Sequence, residues 1–205
     1  MEKRILINVG RQFGSGGKSI ALALGEKLGI PVYDNELIEK AAEDSGFSPD
    51  LFKKSDERKH LISIGSIFSF NRFGNSTHSS GITESDLFNI QSETIRGIAS
   101  KGSAIFVGRV SDYVLRDFEC LDVFITAPLE DRIVRIMERR GLNREEAGKE
   151  IRRHDKARKE YYDFFSFGDN WGVASNYDLC VDSSLLGIEA TADYIIEFGR
   201  KAGLI

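Results

Sequence analysis

The sequence has few of the residues that build disulfide frameworks, zinc sites or membrane spans. Its 205 residues include two cysteines, Cys120 and Cys180, and three histidines, and neither set has disulfide or metal-site spacing. No run approaches the ~18 apolar residues that a bilayer span needs, and the amino-terminal charges precede an apolar run too short for a signal peptide. We therefore expect a soluble cytoplasmic protein without a membrane partner. Because both cysteines lie in apolar runs, we also expect buried, inert thiols.

An excess of positive charge is also absent. The formal net charge of -4 and the pI of about 5.5 give no electrostatic reason to expect a nucleic-acid partner. The charge is uneven, however, because residues 131 to 160 hold eleven Lys or Arg against seven Asp or Glu. This basic segment within an acidic chain is suited to covering something small and anionic.

The distribution of apolar residues predicts strands that alternate with helices. Arg4 to Val9 is a nearly continuous apolar run that ends at a glycine, as in a strand buried on both faces. From Lys18 the apolar residues recur every four positions until Gly29, which predicts a helix. Five such strands predict an α/β fold with a parallel sheet covered on both faces. The other predicted strands are Ile30 to Tyr33, Ser103 to Val107, Leu121 to Thr126 and Tyr177 to Val181.

The segment from residue 47 to residue 81 departs from this alternation. It interleaves aromatic residues with Ser, Gly and Asn, which predicts a helix or two followed by a flexible loop. The loop is either an ordinary surface connection or part of a site that orders on binding.

A glycine-rich loop, VGRQFGSGGKS at residues 9 to 19, joins the first predicted strand to the first predicted helix. In the P-loop pattern G-x-x-x-x-G-K-[ST], main-chain N–H groups and a helix N-terminus face phosphates, the lysine reaches the outer phosphates, and the hydroxyl binds Mg²⁺. Residues 17 to 19 match its second half. The first glycine is displaced, because Gln12 stands at its position and the nearest earlier glycine is Gly10.

The displaced glycine does not prevent phosphate binding. Three glycines within four residues still leave the loop short of Cβ atoms where ligand oxygens must approach the backbone. The alternative is a glycine-rich turn with an incidental lysine. The candidate residues for binding the donor phosphates are Gly14, Ser15, Gly16, Gly17 and Lys18, with Ser19 as the candidate Mg²⁺ ligand.

Motifs along nearly the whole chain resemble those of P-loop nucleoside monophosphate kinases, most closely cytidylate kinase and cytidylate kinase-like proteins. FGSGGKS precedes a helix ending in EKLGIPVYD, and VGR at 107 to 109 resembles the family's D-G-R strand end. VFITAPLEDRIVRI resembles F-L-T-A-x-x-x-x-R-x-x-R, RRHDKAR resembles the arginine-rich lid, and YDLCVDSS resembles the closing strand. One such match would be weak, whereas five in order are specific.

The resemblance implies a three-layer P-loop NTPase fold with a five-stranded parallel sheet, an acceptor-binding insert and a helical lid. It also implies phosphoryl transfer from ATP with Mg²⁺ to a nucleoside monophosphate, with CMP or dCMP as the leading acceptor. Under this resemblance, residues 1–205 form one kinase domain with a core (1–34, 101–142, 173–205), an acceptor-binding region (35–100) and a lid (143–172).

The sequence departs from the family pattern near the acceptor. Val107 stands where the family usually has Asp, and Asn35-Glu36 replaces a Thr-Gly pair beside the acceptor base. Two other functions therefore stay open. One is a P-loop kinase for another small metabolite, and the other is a nucleotide-binding regulator that has lost turnover.

Phosphoryl transfer requires cations around the moving phosphoryl group. Arg109 directly follows a predicted buried strand, so it either binds the acceptor phosphate with its guanidinium or forms a structural ion pair. Asp34 ends another strand and either positions the acceptor or a metal-bound water, or caps the next helix, where Asn35 is a further cap candidate. Arg96 either reaches the acceptor or lies on a solvated helix face.

The predicted lid helix supplies further candidates. By resemblance, Arg153 and Arg158 contact the transition state, and Asp155 orients them or contacts the acceptor. Arg152 is an alternative to Arg153. The competing interpretation is a charged amphipathic helix held by its own salt bridges.

The remaining candidates have less definite roles. Arg132 and Arg135 either lie beside the lid or the adenine or form surface salt bridges. Trp171 and the aromatic residues of YYDFFSF pack the lid against the core or stack on a base. No chemistry is assigned to the histidines, which are His60, His78 and His154.

Overall fold

A computed structural model describes residues 4–44 and 84–205 of the chain. The segment 47–81, with its predicted loop, lies outside these residues. Five strands form one sheet in the order β2-β3-β1-β4-β5, and every pair in it is parallel. The predicted five-stranded parallel sheet is confirmed. The strands are β1 (Leu6–Arg11), β2 (Val32–Tyr33), β3 (Ala104–Val107), β4 (Leu121–Thr126) and β5 (Leu179–Asp182).

Helices cover both faces of the sheet. Ile7 and Val9 of β1 pack with residues of the first and last helices. Leu6 points to the opposite face and packs with residues of the second, third and fourth helices. This alternation follows from the two-residue period of a strand, and it confirms the three-layer fold. The helices are α1 (Gly17–Leu28), α2 (Asn35–Asp44), α3 (Glu84–Lys101), α4 (Ser111–Val114), α5 (Leu129–Arg140), α6 (Arg144–Phe165) and α7 (Ser183–Lys201).

The register of the sheet brings two strand ends together. Val9 of β1 lies opposite Val107 of β3 and Val123 of β4. Because all three strands are parallel, the segments that leave β1 and β3 start side by side at the same edge of the sheet. In open α/β sheets this carboxyl edge is where ligands bind.

Local sequence explains most helix boundaries. Gly29 ends α1 in the left-handed conformation (φ 66°), and its N–H donates to the carbonyl of Gly25, as predicted for the helix stop. A capping box of Asn143 and Glu146 starts α6. The prediction that Asn35 caps α2 is wrong, since Asn35 is the first helical residue and Asp34 accepts a 3.2 Å bond from the N–H of Leu37.

The prediction of two buried thiols is also wrong. Cys180 is exposed and Cys120 is half-buried. Cys180 lies on β5, which is at the edge of the sheet, and β5 has one buried residue, Val181. An apolar run on an edge strand therefore does not ensure burial. Among the helices described, none is long and apolar enough to cross a membrane.

Candidate functional site

The loop between β1 and α1 is a glycine turn in which the N–H of Ser15 donates to the carbonyl of Gln12 at 3.3 Å. Gly14 and Gly16 both adopt the left-handed conformation with φ 81°, which favours glycine. A Cβ atom at Gly16 would also lie 2.8 Å from Ile188 Cδ1. Ser15 is buried, and its hydroxyl donates back to the carbonyl of Gln12 at 2.9 Å. The side chain of Ser15 is thereby turned back onto the loop.

Three arginines from later helices bind carbonyl groups of this loop and of Arg11, which precedes it. A carbonyl that accepts from an arginine has its oxygen directed at that arginine, which fixes the orientation of the peptide. The first N–H groups of α1 have no intrahelical acceptors and stay suited to an anion. The bonds run from Arg158 to Arg11 O (3.1 Å), from Arg132 to Phe13 O (3.4 Å) and from Arg135 to Gly14 O (3.4 Å).

Asp155 of α6 binds the loop directly. Its Oδ1 accepts a 2.7 Å bond from the N–H of Phe13, and its Oδ2 pairs with Arg132 at 2.6 Å. Both side chains of this ion pair are largely buried. Asp155 therefore joins α6 to the loop, and it is not among the residues that line the neighbouring cavity.

Lys18 and Asp34 form an ion pair of 2.6 Å at the start of α1. Burial alone would raise the pKa of Asp34, but hydrogen bonds from Lys18 and the N–H of Leu37 outweigh it and lower that pKa. Asp34 thus caps α2 and also holds Lys18 beside the loop. Ser19 is exposed on the first turn of α1. The Ser19 hydroxyl and the Asp34 carboxylate are hard oxygen donors of the kind that Mg²⁺ prefers, so these residues fit that ion.

A cavity of about 220 Å³ opens beside the loop, at the carboxyl ends of β1 and β3. Arg11, Arg109 and Arg158 line it. Burial, and then the charges of Arg158 and Arg109, lower the pKa of Arg11. Burial also lowers the pKa of Arg158 to about 10. Three arginines converging on a sheltered space make this an electropositive site for an anion.

The backbone that carries Arg109 is strained. Arg109 (φ 62°) and Val110 (φ 58°) follow Gly108 (φ 76°), and all three are left-handed. This conformation is unusual for a β-branched residue and costs about 1–3 kcal/mol. Val110 is held in it because its side chain is buried against Tyr162 and Phe165 of α6. Packing therefore compensates for a turn that directs Arg109 into the cavity.

Aromatic and acidic side chains form the other wall of the cavity. Tyr162 donates a 2.7 Å hydrogen bond to Asp112 Oδ2, and burial raises the pKa of Asp112. The Arg109 guanidinium lies over the ring of Tyr161, 5.6 Å from its centroid. Tyr177 and Trp171 also line the cavity. Planar rings beside arginines suit a ligand that is both aromatic and anionic.

The structure does not bring every predicted residue to this cavity. Arg153 is 61% exposed and bonds Glu150 on its own helix. Arg96 is exposed on α3. Neither lines the cavity, whereas Arg109 and Arg158 do.

Sequence reasoning missed several cavity residues, among them Arg11, Asp112, His154 and Tyr177. Arg11 was overlooked because the first strand was predicted to end at Val9, although it runs to Arg11. The signal that indicated Arg109, a cation at the carboxyl end of a central strand, also applies to Arg11. No comparable sequence pattern indicated that Asp112 would line the cavity. His154, to which no chemistry was assigned, stacks on Phe13 with ring centroids 4.1 Å apart.

The described residues contain no group of three or more His, Cys, Asp or Glu able to hold a metal.

The fold is that of the P-loop kinases. Its parallel sheet, the glycine loop between β1 and α1, and the arginine-lined cavity at the carboxyl edge are the parts of that class. Residues 6–185 match the model of the cytidylate kinase-like family, and the chain belongs to this family.

Curated relatives carry the name cytidylate kinase. The chain is 26% identical to that of Methanopyrus kandleri over 190 residues, which covers 88% of this chain and 85% of the relative. It is 33% identical to that of Ignicoccus hospitalis over 101 residues, covering 47% and 56% of the two chains.

Solved structures are similar along nearly the whole chain. An uncharacterized protein from Eubacterium ventriosum is 29% identical with a TM-score of 0.74, covering 97% of this chain and 99% of that one. A shikimate kinase from Acinetobacter baumannii has a TM-score of 0.54 at 15% identity, covering 100% and 97%. At that identity the second likeness concerns the fold alone.

Proposed function

We propose that the protein transfers a phosphoryl group from ATP to a nucleoside monophosphate, with CMP or dCMP as the leading acceptor. The supporting observation is that the phosphate loop and the arginine-lined cavity are adjacent along the chain. Gly10 and Arg11, the last two residues of β1, lead directly into the loop and also line the cavity. A donor on the loop and an acceptor in the cavity would therefore have adjacent phosphates, as in-line transfer requires.

The donor side of the proposal rests on the loop. Lys18 binds the outer phosphates of ATP, with main-chain N–H groups around them. Mg²⁺ bound with ATP would neutralise phosphate charge, held by the hydroxyl of Ser19 and assisted by Asp34. Asp155 supports this site through the N–H of Phe13 rather than through the ligand. The proposed main-chain donors are Gly14, Gly16 and Gly17, whereas the N–H of Ser15 donates within the loop to the carbonyl of Gln12.

The acceptor side rests on the cavity. Arg109 and Arg158 pair with the acceptor phosphate, because a guanidinium matches two phosphate oxygens at once. The rings of Tyr161 and Tyr162 provide a flat wall for a base. Asp112 beside them offers a carboxylate to an exocyclic amino group, which cytosine has and uracil lacks. Arg153 and Arg96 have no proposed ligand contact.

An acceptor panel tests this function. ADP release from ATP is measured with CMP, dCMP, UMP, AMP and shikimate, and we expect the highest kcat/KM with CMP or dCMP. Preferred turnover of shikimate would replace the proposal with a kinase for a different metabolite. ATP binding without turnover of any acceptor would indicate a regulator instead.

A further inference from the structure

Of the three arginines that line the cavity, Arg11 has no role in the proposed function. It ends β1 immediately before the glycine loop, and its carbonyl accepts the bond from Arg158. Its side chain turns into the cavity rather than out to solvent. It therefore stands where the segments leaving β1 and β3 meet.

The side chain of Arg11 occupies a slot that two glycines create. A Cβ at Gly17 would lie 2.5 Å from Arg11 Cβ, and a Cβ at Gly108 would lie 1.7 Å from Arg11 Nη1. Real Cβ atoms do not approach other atoms so closely, so both positions must be glycine while Arg11 keeps this conformation. The guanidinium is thereby held against the turn that carries Arg109, with its stem against the first residue of α1.

The charge of Arg11 is not neutralised within this slot. No ion pair among residues 4–44 and 84–205 includes Arg11, and the nearby charges of Arg158 and Arg109 act with burial to lower its pKa. Within the described part of the chain, Asp34 is the one carboxylate that counters them. Holding a guanidinium beside two others in a sheltered cavity is unfavourable without an anion. The arrangement is therefore suited to a phosphate that approaches all three arginines.

We infer that Arg11 contacts the phosphoryl group in transit between donor and acceptor. This inference rests on the proposed function. In that reaction the bond from the γ-phosphorus to the β,γ-bridging oxygen breaks, an acceptor phosphate oxygen bonds to the phosphorus, and ADP leaves with the bonding electrons. Arg11 exchanges no proton. Its guanidinium lies between the loop and Arg109, where negative charge spreads over the transferred group, and it offsets that charge.

Substitution of Arg11 tests its role. Arg11→Met removes the charge but keeps an apolar stem, and we expect kcat to fall on the order of 100-fold, with the KM for ATP changing far less. In Arg11→Ala, added guanidinium ion should restore part of the rate. Arg139→Met is the matched control, since Arg139 is an exposed arginine beside the Phe13 ring that does not line the cavity. It should keep its kcat within about twofold.

Two results would overturn the inference. One is a wild-type kcat in Arg11→Met. The other is a fall in kcat that tracks a lower melting temperature and is not rescued by guanidinium, because a purely structural role predicts both.

Failure of the proposed function would be visible separately, as a wild-type protein that turns over no acceptor. Binding of inorganic pyrophosphate, measured by calorimetry, then tests the phosphate contact alone. Affinity at least about tenfold weaker in Arg11→Met than in wild type and Arg139→Met supports the contact. Equal affinity in all three rejects it.

Discussion

The N–H of Phe13 donates a 2.7 Å hydrogen bond to the carboxylate of Asp155. Phe13 belongs to the glycine loop, and Asp155 belongs to α6, 142 residues later in the chain. The bond joins the loop that would hold the donor to the helix whose Arg158 faces the acceptor cavity. The position of α6 and the shape of the loop are therefore coupled.

Substitution of Asp155 tests this coupling. Asp155→Asn removes the charge that pairs with the largely buried Arg132, and we expect a loss of about 3 kcal/mol in the free energy of unfolding. ATP should also bind more weakly, because the loop loses its support. Denaturant unfolding and calorimetry measure the two effects. Glu145→Gln is the control, since its pair with Lys149 is exposed and should contribute less than about 0.5 kcal/mol. Unchanged stability of Asp155→Asn would contradict the anchoring role.

Lys18→Ala should remove most of the affinity for ATP. The side chain is 60% exposed, so its loss should change the free energy of unfolding by less than about 0.5 kcal/mol. Calorimetric titration with ATP is the measurement, and Lys159→Ala provides a control lysine on α6 that pairs with Asp163. ATP binding equal to that of the wild type would refute the assignment of the phosphate loop.

Arg158→Ala should lower kcat by at least about 100-fold. It should also cost about 1–2 kcal/mol of stability, because the carbonyl of Arg11 loses its donor. Arg158→Lys should recover stability better than activity, since a lysine cannot pair with two phosphate oxygens at once. Initial rates at saturating ATP and melting curves separate these effects. A greater loss of activity in Arg153→Ala than in Arg158→Ala would show that α6 presents its other face to the substrates.

Asp122 should make stability depend on pH. Burial raises its pKa to about 6, although Asn8 donates a 2.7 Å bond to it, and the charges of Asp112 and Asp178 add to the rise. Because this pKa is above the unfolded value of about 4, the folded state binds more protons than the unfolded state at pH values between about 4 and 6. The contribution of Asp122 to the free energy of unfolding therefore falls as pH rises from about 4 to 6.

Asp122→Asn removes this titration and keeps an oxygen for Asn8. We expect the variant to be more stable than wild type by about 2 kcal/mol at neutral pH, and the difference to vanish near pH ~4. Denaturant unfolding across this range measures it, with Asp117→Asn as an exposed control. A difference that grew toward low pH would contradict the raised pKa.

The fold was predictable because the signals for its elements are local. The apolar runs of β3 and β4 and the four-residue spacing in α1 follow from the periods of strands and helices. Exposure of Cys180 was not predictable, because an apolar run does not reveal which strand lies at the edge of the sheet. The strand order depends on contacts between distant segments.

The candidate site was predictable in part. The glycine loop could be found because its residues are consecutive. Arg109 could be found because it follows a buried strand. The roles of Arg153 and Arg158 could not be separated, since both lie in one charged run. At about 100° per residue, five positions place them roughly 140° apart around the helix.

The sequence by itself determined the succession of strands and helices along the chain and the position of the loop before α1, because these depend on neighbouring residues and on periodicity. Tertiary structure alone decided which arginine side chains lie together in the cavity. Packing of Tyr162 and Phe165 against Val110 sets the orientation of the 22-residue α6 about its own axis. In this orientation Arg158 faces inward and Arg153 faces outward. Arg11 reaches the cavity because Gly17 and Gly108, distant in sequence, leave a slot between them. No local pattern records either arrangement, because each depends on how separate segments pack.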